Sequence, residues 1–109
     1  MEPLQVEVLE DLKTELGLKE ESDVAVLTSK VKNAYREVKR TRNYQPYHTQ
    51  DFVDKDMENF YSNIRELALY DFNQVGAEGQ SNHSENGTSR VWKDRKECFN
   101  GITAFCGTP

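Results

Sequence analysis

The sequence predicts an all-α fold, a small three-to-four-helix bundle, on three observations. Apolar residues recur at helical spacing in three long stretches. Each stretch begins or ends on a residue suited to a helix terminus. The one segment rich in turn formers, about 80–92, lacks the clean apolar alternation of a half-buried sheet and reads as a short polar hairpin or loop.

The first helix is predicted from about Pro3 to Leu16. Leu4, Val8, Leu9, Leu12 and Leu16 form one stripe, Pro3 suits a first turn, and Gly17 can take the left-handed conformation that closes a helix. The second is predicted from about Asp23 to Arg42, with Ser22 as its N-cap and Val24, Leu27, Val31, Ala34, Tyr35 and Val38 facing inward. Pro46 and the residues around it end it. The third is predicted from about Gln50 to Gln74, capped by Thr49. About 25 residues at 1.5 Å each would span roughly 38 Å. Val53, Met57, Phe60, Ile64, Leu67, Ala68 and Val75 make its stripe, and Gly76 and Gly79 end it. Between Ile64 and Phe72 the apolar residues cover more than one face, which asks for cover on several sides. That cover is either the C-terminal tail or a neighbouring subunit.

Asn86-Gly87 is the strongest turn signal in the chain, because a type I′ turn wants positive φ at both central residues. Lys93 to Cys98 suits one helical turn or two. Beyond it, Phe99, Ile102 and Phe105 stand among small residues in what reads as an extended arm. The expected organisation is a helical domain over residues 1–98 and an arm over 99–109.

The chain has 109 residues, which suits one domain and leaves little room for a deep cleft. No apolar run is long enough for a transmembrane helix, and the acidic start Met1-Glu2-Pro3-Leu4 is not that of a signal peptide. Cys98 and Cys106 lack redox or zinc spacing and read as two reduced thiols. The sequons at Asn82 and Asn86 are then chance matches.

Chemistry is hard to find. His48 reads as a surface residue before the third helix. His83, Ser84 and Glu85 adjoin in sequence, but a catalytic triad needs converging geometry instead. Asp51, Asp54, Asp56 and Glu58 are better explained as partners of a helix dipole and solvated surface than as metal ligands. No phosphate loop is present. An enzyme is not expected, nor a cofactor or a metal.

Charge is the informative feature. The net charge of -5 is segregated: residues 1–29 hold eight acids and two bases, and residues 30–42 hold six bases and one acid. Residues 43–79 return to seven acids and two bases. Segregation of this kind concerns association, not fold. The basic segment has three readings: a solvated helix face, a surface that docks on an acidic partner, or a nucleic-acid site in a small helical DNA-binding or regulatory protein. The acidic remainder opposes the last, and no helix-turn-helix is evident.

Several stretches carry a resemblance. Leu9-Glu10-Asp11-Leu12-Lys13-Thr14-Glu15-Leu16-Gly17, Arg36-Glu37-Val38-Lys39-Arg40-Thr41-Arg42-Asn43-Tyr44 and Tyr61-Ser62-Asn63-Ile64-Arg65-Glu66-Leu67-Ala68-Leu69-Tyr70-Asp71 occur in that order. Val75-Gly76-Ala77-Glu78-Gly79 and His83-Ser84-Glu85-Asn86-Gly87-Thr88-Ser89-Arg90 follow. Together, over roughly residues 9–92, they resemble the head–tail connector (head-completion, DNA-packaging adaptor) proteins of long-tailed bacteriophages and prophages. The resemblance implies a structural virion protein without cofactor or catalytic residues. It implies a ring, usually of about twelve copies, beneath the portal. The ring extends the DNA channel, lets DNA pass without sequence-specific binding, and offers a surface to a tail or stopper (head-closure) protein. It implies a place at the head–tail junction of the virion and, during assembly, in the host cytoplasm, with no membrane. Candidate contacts with neighbouring subunits or portal are Arg36, Lys39, Arg40 and Arg42 in the basic helix, and His83, Ser84, Glu85, Asn86, Gly87, Arg90 and Trp92 around the Asn-Gly turn. Phe99, Ile102 and Phe105 in the arm complete the set.

Overall fold

The computed structural model describes residues 1–78 and 95–106. Four α-helices follow one another: α1 (Pro3–Leu16), α2 (Glu21–Arg42), α3 (Gln50–Met57) and α4 (Tyr61–Glu78). Short 3₁₀ turns cover Glu58–Phe60 and Arg95–Phe99. Among the described residues there is no strand. The predicted hairpin at 80–92 lies outside the described residues.

The ends of α1 are as the sequence predicts. Pro3 opens it, and Gly17 closes it at φ 65°. The Leu18 N–H then donates to the Lys13 carbonyl at 3.1 Å, so Leu18 folds back onto the core. At α2 the start differs from expectation. Glu20, not Ser22, holds the extended N-cap position, and the Val24 N–H donates to the Glu20 carbonyl at 3.1 Å. Glu21 and Asp23 in the first turn then meet the positive end of the helix dipole, and no side-chain cap is made. Asn43 closes α2 at φ 60°, a conformation that asparagine tolerates better than most residues.

The long third helix is two helices. Thr49 caps α3 by accepting the Phe52 N–H at 3.1 Å, as predicted. After Met57 the chain tightens into the 3₁₀ turn Glu58–Phe60 before α4 begins. Gly76 lies inside α4, which continues to Glu78, so it does not end the helix.

The core is one contiguous cluster. Leu12, Leu27, Val31, Val38, Met57, Ile64 and Leu67 are fully buried. α2 and α4 make the most extensive pair, and α1 packs on both. The over-apolar part of α4 is covered from within the chain. Cys98 is buried, and Leu69, Tyr70, Phe72, Phe99 and Ile102 pack around the same core. The 3₁₀ turn at Arg95–Phe99 is therefore the lid of the bundle on that side. Residues 102–106 have no regular secondary structure.

Candidate assembly surface

The C-terminal end of α2 is where the predicted contact residues gather. Residues 36 and 40 are one turn apart, on the side of α2 away from Leu27, Val31, Ala34 and Val38. Arg36, Lys39 and Arg40 are exposed, and among the described residues none of them forms a salt bridge. They line two adjoining shallow grooves, one shared with Lys32, Tyr35 and the first residues of α1, the other with Asn43 and Tyr44.

Arg42 behaves otherwise. Its Nε donates to Asp56 Oδ2 at 2.9 Å, and its Nη1 donates to the Thr103 carbonyl. Its guanidinium lies 3.9 Å from the Phe105 ring centroid and 5.4 Å from that of Phe60. The Tyr44 hydroxyl donates to the same Asp56 oxygen at 2.6 Å. Burial works to raise the Asp56 pKa, but the hydrogen bonds from Arg42, Tyr44 and Asn59 outweigh it and hold the carboxyl below its ordinary range. Burial and the bond to Asp56 push the Tyr44 hydroxyl well above the usual tyrosine range.

The same junction holds the arm. The Phe105 N–H donates to the Arg42 carbonyl at 2.8 Å, and Asn43 Nδ2 donates to the Phe105 carbonyl at 2.7 Å. The Phe105 ring sits among Tyr44, His48 and Phe52, with centroid distances of 5.7, 4.5 and 6.0 Å. Nearer the bundle, Asn63 Nδ2 donates to the carbonyls of Cys98 and Asn100, both at 2.8 Å. Arg95 joins three elements, with Nε donating to Asp71 Oδ1 of α4 at 2.9 Å and Nη1 to Glu37 Oε1 of α2 at 3.1 Å. Bonds to Asp71 and Glu37 keep Arg95 charged by raising its pKa further.

The structure thus separates the predicted contact residues into groups. Arg36, Lys39 and Arg40 share one open face. Arg42, Phe99, Ile102 and Phe105 are engaged within the chain, so the arm that the sequence predicts as extended is seated on the bundle. His83, Ser84, Glu85, Asn86, Gly87, Arg90 and Trp92 lie outside the described residues. Sequence reasoning missed the roles of Asp56, Tyr44 and Arg95, which depend on contacts between distant segments. It read Asp56 as dipole partner and surface.

Among the described residues no group of three His, Cys, Asp or Glu is placed to hold a metal ion, and no helix is long and apolar enough to cross a membrane. What remains is a small bundle with an open cationic face. A family model described as Phage gp6-like head-tail connector protein matches residues 6–100. The chain belongs to that family. The match contains the whole stretch whose motifs carry the resemblance. No curated protein and no solved structure matches the chain. The connector is a structural phage protein of the head–tail junction, in a family that is not enzymatic.

Proposed function

We propose that the connector is the subunit of a homo-oligomeric ring that joins the portal to the tail or its stopper and extends the DNA channel. The observation that carries this reading is the open face of Arg36, Lys39 and Arg40 on a chain whose net charge is -5. A ring of identical subunits needs two different patches on each copy that fit one another. Cations left unpaired on an otherwise acidic chain supply one such patch, and an acidic surface on a neighbouring subunit supplies the other.

The test is charge reversal. Arg36→Glu with Arg40→Glu should leave the fold intact, because both side chains are exposed, and should abolish ring-shaped particles under the electron microscope. Rings that form normally in the variant would overturn the role given to this face. Salt-dependent retention of DNA by the isolated wild-type subunit, with no rings formed, would instead favour a small DNA-binding protein.

A further inference from the structure

Aromatic rings gather where α2 gives way to α3: Tyr44, Tyr47, His48 and Phe52 from the chain there, and Phe105 from the arm. Tyr47 and Phe52 are 67% and 40% exposed, two of the four large apolar side chains left open among the described residues. Subunit interfaces are enriched in aromatic residues and arginine. This patch runs on into the cationic face, because Asn43 and Tyr44 line the groove that Arg36, Lys39 and Arg40 also line. A neighbour docked on those cations therefore lands beside the seat of Phe105.

The seat recognises main chain and one ring. The Arg42 carbonyl accepts the Phe105 N–H, Asn43 Nδ2 donates to the Phe105 carbonyl, and Arg42 Nη1 donates to the Thr103 carbonyl. Thr103, Ala104 and Cys106 are exposed. Upstream, the segment is anchored to its own bundle. Asn63 holds the carbonyls of Cys98 and Asn100, and Ile102 packs on the core with its N–H donating to the Phe99 carbonyl at 3.1 Å. No side chain between Ile102 and Phe105 is buried, so residues 103–106 can change seats without unpacking the lid. Three residues at full extension span about 10 Å, so Phe105 reaches at most about 20 Å from its present place. The molecule is 17 Å thick, and copies packed across that dimension bring equivalent seats within this reach.

We propose that in the assembled ring Phe105 of each copy occupies the seat made by Arg42, Asn43, Tyr44, His48 and Phe52 of the next copy. The inference rests on the ring reading and names a link that holds its neighbours together. The fit needs no new surface, since the same segment already fills the same seat within one chain. Exchange keeps each hydrogen bond and ring contact and turns it from a contact of the fold into a contact between subunits. Swapping an identical element is for that reason a low-cost route to association. The link is also head-to-tail: the arm of one copy meets the seat of the next, and its own seat takes the arm of a third.

The experiment uses the full chain, alone and with portal protein, and follows assembly by sedimentation and electron microscopy. Cys106 follows Phe105 and is exposed, while Cys98 is buried, so a short photoreactive maleimide marks the arm alone. Rings are assembled from equal parts of unlabelled and heavy-isotope chain, irradiated and digested. Links from Cys106 to the peptide that holds Tyr44 and Phe52 are then sorted by isotope in a mass spectrometer. In the unassembled chain every link should join like with like. In rings, mixed-isotope links should be as frequent as like-isotope links. Like-isotope links alone in rings would overturn the exchange and leave the ring standing, as would links from Cys106 to portal in place of the seat. Phe105→Ala should raise the concentration needed for assembly roughly tenfold, the effect of truncating an aromatic anchor at an interface, with the bundle still folded. Normal assembly of that variant would also sink the exchange. A wild-type chain that forms no ring under either condition would overturn both readings.

Discussion

At the residue scale, Arg42 illustrates how one side chain can be legible in type and illegible in role. Its place in a basic run at the end of α2 gives favourable contact with the helix dipole, and that much follows from sequence. The structure adds Asp56, the Thr103 carbonyl and the Phe105 ring. Asp56 is the acid that holds this junction, with its side chain 12% exposed. Replacing it with Asn should cost about 1–3 kcal/mol, since a hydrogen-bonded and largely buried charge pair loses its anion. Its pH dependence has a definite direction. The folded-state pKa lies below the ordinary 3.8, so the stabilisation is fully present above that value and fades as pH falls through it toward the lower folded value. Thermal melts of wild type should show this acid loss, and melts of Asp56→Asn should show less of it. Equal acid slopes in the two proteins would contradict the assignment. Asn43 shows the same division. Its left-handed conformation suits the end of a helix, but its bond to the Phe105 carbonyl depends on a residue 62 positions away.

At the element scale, two kinds of contact join α1 to α4. Tyr61 donates to Asp11, and Arg65 pairs with Glu15, both near the surface. Exposed pairs of this sort contribute about 0–1 kcal/mol. Beneath them Leu12, Ile64 and Leu67 are fully buried, and removing a buried leucine side chain costs about 2–5 kcal/mol. The packing therefore dominates. Leu67→Ala should lower the denaturation midpoint sharply, while Glu15→Gln should shift it little. Denaturant titration of the two variants decides the matter, and similar losses would show that the surface pairs had been undervalued. The apolar stripes that predict this core were readable because burial on a helix repeats every three to four residues. The break at Glu58–Phe60 was not readable in that way. Val53, Met57, Phe60 and Ile64 keep a spacing of three or four across it, so the stripe continues while the backbone changes. Ser22 misled for a related reason. A good N-cap residue lay two positions past the N-cap that forms, and the dipole favours Glu21 and Asp23 in the first turn without a side-chain cap.

At the scale of the whole molecule, the connector is an elongated slab, 51 × 27 × 17 Å, whose thinnest dimension is about two helices. A body this thin needs its C-terminal segment as cover. Arg95 and Cys98 bring that segment over α4, and Phe105 fixes its far end at the α2–α3 junction. Phe105→Ala should free the arm there and speed amide exchange at residues 102–106, with the bundle core still protected. Hydrogen exchange read by mass spectrometry checks this, and unchanged protection of the arm would show that the main-chain bonds suffice without the ring.

By itself, the sequence determined the helical class, the buried stripes, the ends marked by Pro3, Gly17 and Thr49, and the segregation of charge. These depend on neighbours a few residues apart, so their signals are local. Tertiary structure alone decided which cations stay open and which are engaged. Arg36 and Arg42 look alike in a row of bases, but only Arg42 meets Asp56 and a carbonyl 61 residues away. Tertiary structure also placed Tyr35 beside Glu2, Asp54 and Glu58, which belong to separate helices and their ends. The physical reason is the same in both cases. A side chain's net charge and hydrogen-bond balance depend on what folding brings within about 3–4 Å of it, and periodicity along the chain carries no record of those partners.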